Sequence, residues 1–105
     1  MTNILKNKVA IITGSGRGVG KGIAKLMAHE GAKVIIVDPG TELDGSGGTQ
    51  SIAESVVNEI LQTGGEAVAS FEDITTMTGG ESVVQQAIDT FGKLDIVVTC
   101  AGVLR

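Results

Sequence analysis

Cysteine, proline and histidine each occur once in this sequence, at Cys100, Pro39 and His29, and tyrosine and tryptophan do not occur at all. A single thiol leaves no internal disulfide and no multi-cysteine metal site, so no metal ligands are expected. A secreted chain this small is usually stapled by disulfides, so a reducing compartment, the cytoplasm, is the expectation. Met1 to Lys8 carries no apolar stretch long enough for a signal peptide. No window approaches the ~20 apolar residues of a membrane span, so no membrane partner is expected. Basic clusters are missing too: eight Lys and Arg lie scattered against twelve Asp and Glu, a net charge of −4. A surface that tracks nucleic-acid phosphates needs such a cluster, so nucleic acid is not an expected partner. What remains is a chain of 105 residues, 42% hydrophobic and 19% charged, enough for one small domain with a real core.

Glycine, by contrast, is abundant, with sixteen residues. The pairs Gly64-Gly65 and Gly79-Gly80 read as helix stops or turns. Across the chain the apolar pattern alternates in kind. Val9 to Ile12 is a short branched run, a buried strand. Val19, Ile23, Leu26 and Met27 then recur at helical spacing over Gly18 to Glu30, and Gly31 ends the pattern, with Lys25 and His29 near the last turn. Val34 to Val37 is a second strand, and the glycine-rich stretch from Gly40 to Gly48 is a loop. Ile52, Val56, Val57, Ile60 and Leu61 mark a second helix. Ala67 to Phe71 is a third strand. A third helix shows Val83, Val84, Ala87, Ile88 and Phe91 and stops at Gly92. Leu94 to Thr99 is a fourth strand. The order β-α-β-α-β-α-β with continuously apolar strands predicts a parallel sheet under helical crossovers, an α/β doubly wound fold with no second domain.

Between the first strand and the first helix stands Thr13-Gly14-Ser15-Gly16-Arg17-Gly18-Val19-Gly20. Such a loop presents backbone N–H groups at a helix N-terminus, where dipole and unpaired donors attract a pyrophosphate. Glycines serve because a Cβ would block the turn or hold the phosphate away. The spacing is T-G-x-x-x-G-x-G; G-x-G-x-x-G is not satisfied, since its last position would be Val19 or Lys21. Asp38, at the carboxyl end of the second strand, is placed to reach ribose hydroxyls, which favours NAD.

These segments resemble the classical short-chain dehydrogenases/reductases. Thr13 to Gly20 is similar to that family's cofactor loop. Asp73-Ile74 is similar to its acidic-aliphatic pair at the adenine, and Thr99-Cys100-Ala101-Gly102 to its N-N-A-G, with both asparagines replaced. The resemblance runs from about Lys6 to the last residue and implies a Rossmann-type sheet of strand order 3-2-1-4, a partial NAD(P)-binding domain over residues 1–105. It further implies that Gly14, Ser15, Arg17, Gly18 and Val19 line the phosphates and ribose, while Gly20 allows close helix–sheet packing. Asp38 would hold the ribose, and Asp73 and Ile74 the adenine. Cys100, Ala101 and Gly102 would run beside the ribose and nicotinamide. NAD is the implied cofactor and NADP the lesser one: Arg17 suits a 2′-phosphate, but Asp38 would repel it at close range. The Gly40 to Gly48 loop resembles an insertion in members that act on acyl thioesters at the 3-position.

In that family the chemistry belongs to a Ser and a Tyr-x-x-x-Lys pair further along, and this sequence has no tyrosine. No catalytic residue is therefore assigned. The implied activity is hydride transfer between nicotinamide and a small-molecule alcohol or ketone in a full-length homo-oligomeric enzyme, of which these residues are the cofactor half. A stand-alone, non-catalytic nucleotide-binding module is an alternative. An S-adenosylmethionine methyltransferase is a third reading, disfavoured by Thr13 where an acidic residue opens the loop. The exposed edge of the fourth strand predicts self-association of the isolated polypeptide.

Overall fold

The run Val-Ala-Ile-Ile-Thr has no polar alternation, and in the computed structural model, which describes residues 4–14, 18–38, 50–71 and 76–99, all five of its residues are buried. It forms strand β1 (Val9–Thr13) at the centre of the sheet. Helix α1 (Gly18–His29), strand β2 (Lys33–Val37), helix α2 (Gln50–Gln62), strand β3 (Glu66–Ser70), helix α3 (Met77–Phe91) and strand β4 (Ile96–Thr99) follow. All pairs are parallel and the strand order is β3-β2-β1-β4, as the sequence predicts. In register, Ile11 stands between Ile35 and Val97, and Ile35 faces Val68.

Two cores result, one per face of the sheet. Ala10, Ile12, Val34 and Ile36 point to α1 and α2, where Ala24, Ala28, Val56 and Ile60 meet them. Val9, Ile11, Ile35 and Val37 point the other way, to Val83 and Ala87 of α3. Burying each Val or Ile stabilises the fold by about 1.5–3 kcal/mol, which is why the short strands need no alternation.

Which helical residues face the sheet differs from the sequence reading. On α1 the buried stripe is Gly20, Ala24 and Ala28, while Val19 and Leu26 are 76% and 60% exposed. Small residues let the helix axis come close to the sheet, so the larger side chains fall to its flanks. Lys25 is drawn to α2 instead of the helix terminus: its ammonium and that of Lys21 meet the Glu59 carboxylate at 2.7 and 3.3 Å. On α2, Ala53, Val56 and Ile60 are buried and Leu61 is exposed. On α3, Val83 and Ala87 are buried, while Val84 and Ile88 are exposed.

Gly79-Gly80 is not a turn. Both lie in the first turn of α3, where the Thr76 hydroxyl accepts the Gly79 N–H at 2.9 Å and caps the helix. The other pair does end a helix, and each helix is followed by a glycine of positive φ: Gly31 (104°), Gly64 (91°) and Gly92 (86°). Strand β3 lies one residue earlier than expected. β4 is shorter, beginning at Ile96, and just before it Asp95 exchanges two bonds with Val9. It is not buried on both faces either: Val97 is 56% exposed.

Candidate functional site

The carboxyl ends of β1 and β2 and the start of α1 meet at one end of the sheet. Thr13 closes β1 with its side chain buried, and its hydroxyl donates to the Val98 carbonyl at 3.5 Å, tying β1 to β4 there. Gly14 then takes φ 66°, and its N–H donates to the Val37 carbonyl at 2.8 Å. A left-handed residue at this point turns the chain out of the sheet, which an L side chain would resist.

Gly18 opens α1 with φ 63°, and a Cβ built on it would meet nothing within 4 Å. The space beside the helix start is therefore open. Gly20, one residue past exposed Val19, is buried and brings the first turn close to the sheet. The first turn of α1 holds no acidic side chain, so its amides and dipole are not neutralised from within the helix. That arrangement favours an anion. Across from it, Asp38 follows β2 with 8% exposure, its N–H donating to the Ser70 carbonyl at 3.1 Å. A carboxylate fixed at a strand end accepts hydroxyl hydrogens, as ribose would supply.

Of the residues singled out in the sequence, Gly14, Gly18, Val19, Gly20 and Asp38 are thus gathered at one end of the sheet. Ser15, Arg17, Asp73, Ile74, Cys100, Ala101 and Gly102 lie outside the described residues. Two supporting residues escaped the sequence reading. Thr13 was seen as the motif's first letter, but not as the link to Val98. Ser70, buried at 3%, holds Asp38 in place through its carbonyl; a backbone role leaves no signal in side-chain identity.

A cleft about 270 Å³ in volume lies at the opposite end of the sheet, among Lys6, His29, Lys33, Thr63 and Gly64-Gly65. It contains none of the gathered residues. Open α/β sheets bind ligands outside the carboxyl ends of their strands, which favours the β1–α1 end over this cleft.

A parallel sheet of order β3-β2-β1-β4, helices on both faces and a glycine turn after β1 make a Rossmann-type α/β fold. Within that class the chain belongs to the short-chain dehydrogenases, whose family model, "short chain dehydrogenase", matches residues 8–105. A short chain dehydrogenase from Mycobacterium avium superposes with a TM-score of 0.84 at 43% identity, over 95% of this chain and 35% of that one. A 7α-hydroxysteroid dehydrogenase solved with NADH and 7-oxo glycochenodeoxycholic acid gives 0.79 at 38% identity, over 91% and 34%. The peroxisomal hydratase-dehydrogenase-epimerase of Saccharomyces cerevisiae is 42% identical over 95% of this chain, which spans 11% of that enzyme. The chain thus spans about a third of the solved relatives and a smaller share of the yeast one.

Proposed function

We propose that this chain is the coenzyme-binding portion of an NAD-dependent oxidoreductase that moves a hydride between nicotinamide and an alcohol or ketone carbon. The observation that carries this reading is the meeting of left-handed Gly14 and Gly18 with buried Asp38 at the carboxyl ends of β1 and β2. Open space at Gly18 and an uncompensated helix start fit a pyrophosphate; the fixed carboxylate fits a ribose diol. Bound nicotinamide would supply the hydride donor or acceptor, and the residues of this chain bind and orient it. Ser15, Arg17, Asp73, Ile74, Cys100, Ala101 and Gly102 are assigned to the same cofactor on sequence resemblance.

NAD is preferred to NADP in this proposal. A 2′-phosphate near Asp38 would meet a like charge at roughly 4 Å, a repulsion of about 4 kcal/mol at an effective dielectric of 20. Arg17 offsets this only if its long side chain gives up its freedom to hold that phosphate. For the substrate we favour a 3-hydroxyacyl or 3-oxoacyl thioester. The glycine-rich Gly40 to Gly48 loop supports this, as does the name of the yeast relative, which joins a hydratase to a dehydrogenase. No catalytic residue is assigned, because the 105 residues contain no tyrosine.

Titration of the chain with NADH and NADPH tests the proposal. NADH should bind more tightly, and Asp38→Asn should raise NADPH affinity and narrow the difference. An Asp38→Asn variant that binds NADPH no better than the parent overturns the assignment of Asp38. Failure of the folded parent to bind either dinucleotide overturns the cofactor reading itself.

A further inference from the structure

The cleft at the amino end of the sheet lies at the starts of β2 and β3, where Lys33 stands in register with Glu66. β1 separates it from β4. Gly65, after α2, sits so close to α1 that a Cβ on it would lie 3.4 Å from the Ala28 Cβ, and the two helix ends thereby close the floor. The segment before β1 is pinned to the end of α1. The Leu5 N–H donates to the Glu30 carbonyl at 2.8 Å, and the Lys8 N–H donates to the Leu5 carbonyl at 2.9 Å. Asn7 takes φ 69° within that turn, which holds the Lys6 backbone at the rim.

Helices α1 and α2 both end here, and the carbonyls of a helix end ordinarily draw basic side chains. In this cleft those carbonyls are already taken. The Leu26, Met27 and Ala28 carbonyls accept from the Glu30, Ala32 and Gly31 amides, and the Ile60 and Leu61 carbonyls accept from those of Thr63, Gly65 and Gly64. The Thr63 hydroxyl adds a further bond to the Ile60 carbonyl at 2.9 Å. The basic side chains are therefore left over. Among the described residues, the Lys6 ammonium and the His29 imidazole hold no ion pair. Lys33 has a loose one, 3.8 Å from a Glu66 side chain that is 60% exposed, and its ammonium lies 5.9 Å from the centre of the Phe91 ring. Two ammonium groups and an imidazole thus line one cleft of a chain whose net charge is −4.

We propose that this cleft binds a small phosphate, either inorganic phosphate or a compact phosphate monoester, at a site separate from the coenzyme site and independent of the coenzyme reading. The donors come from three segments of chain, the turn before β1, the end of α1 and the start of β2. That suits a tetrahedral oxyanion, which accepts on every side and which lysine binds as a point charge; a flat carboxylate is better matched by a single fork of donors. The volume, about 270 Å³, falls below the roughly 300–1,000 Å³ of pockets that enclose drug-sized ligands, so a dinucleotide is too large for it. Glu66 is the one acidic side chain among the lining residues, and it competes with the anion for Lys33.

Backbone amide resonances followed during titration with sodium phosphate, against sodium chloride of equal ionic strength, test this. Phosphate should give saturable shifts at Lys6, His29, Lys33 and Gly64, equal with NADH present or absent. Lys6→Gln and Lys33→Gln should each weaken phosphate binding by roughly two- to fivefold, the size of an exposed charge pair. Glu66→Gln should tighten it by a similar factor, all three variants keeping the circular dichroism of the parent. Glycerol phosphate in place of inorganic phosphate distinguishes the two sources: tighter binding assigns the site to a monoester, weaker binding to free phosphate. Shifts at the cleft no larger than chloride produces, or a phosphate affinity that Lys6→Gln leaves unchanged or Glu66→Gln lowers, overturn the proposal.

Discussion

The carboxylate of Asp95 accepts the backbone N–H of Val9 at 2.9 Å, and the Asp95 N–H donates back to the Val9 carbonyl at 2.9 Å. This reciprocal pair fixes the start of β1 against the start of β4. The Val9 N–H is the main cause holding the Asp95 carboxyl below the ordinary carboxylate range; desolvation opposes it, and Lys93 adds to it. Glu59 is lowered likewise, first by its hydrogen bond from Lys25 and then by that from Lys21. A carboxyl depressed in the folded state contributes its stability above the unfolded pKa and loses it as pH falls through the folded one. The thermal midpoint should therefore hold near neutrality and drop on acidification below the ordinary carboxylate range. Asp95→Asn should be less stable at neutral pH and show a shallower acid fall. An acid limb of unchanged slope would contradict this account.

Ala24 has no exposed surface between α1 and the sheet, while Leu26 is 60% exposed on the same helix. Ala24→Leu should destabilise the chain by about 1–3 kcal/mol through overpacking. Leu26→Lys should stay within roughly 0.5 kcal/mol of the parent. Urea unfolding of the two variants checks the orientation of the helix, and the reverse order of effects would contradict it.

Gly65 is held by contact. A Cβ there would lie 2.8 Å from Cγ2 of Ile60, a side chain only 2% exposed, and 3.3 Å from its carbonyl oxygen. Gly65→Ala should cost about 1–3 kcal/mol, read as a lower urea midpoint at unchanged slope.

Gly18 presents the converse case. Its Cβ would meet nothing within 4 Å, yet its φ is 63°. Gly18→Ala should cost roughly 1–2 kcal/mol of conformational strain and should weaken NADH binding by more than the loss of folded protein explains. Calorimetric titration at a temperature where the variant is fully folded separates the two effects.

Element sequence and the glycine turn were legible because they rest on period and on residue type, and the strand order followed from the family resemblance: Val9 to Ile12 and Val34 to Val37 can hardly be anything but buried strands. The helix faces were not. Apolar side-chain size points to Val19 and Leu26, whereas close helix–sheet approach selects Gly20, Ala24 and Ala28. Gly79-Gly80 reads as a break, but the Thr76 cap and the buried position of Gly79 keep it helical. At the site, Asp38 and the glycines could be read from the chain. The hold of Ser70 on Asp38 could not, since a carbonyl belongs to every residue.

The most direct test of the central claim is to follow backbone amide resonances of the isotope-labelled chain as NADH is added. The account expects the largest shifts at Gly14, Gly18, Val19, Gly20 and Asp38, with Lys6, His29 and Thr63 at the opposite end of the sheet unmoved. Shifts confined to that opposite cleft, or none at all in a folded protein, would contradict it.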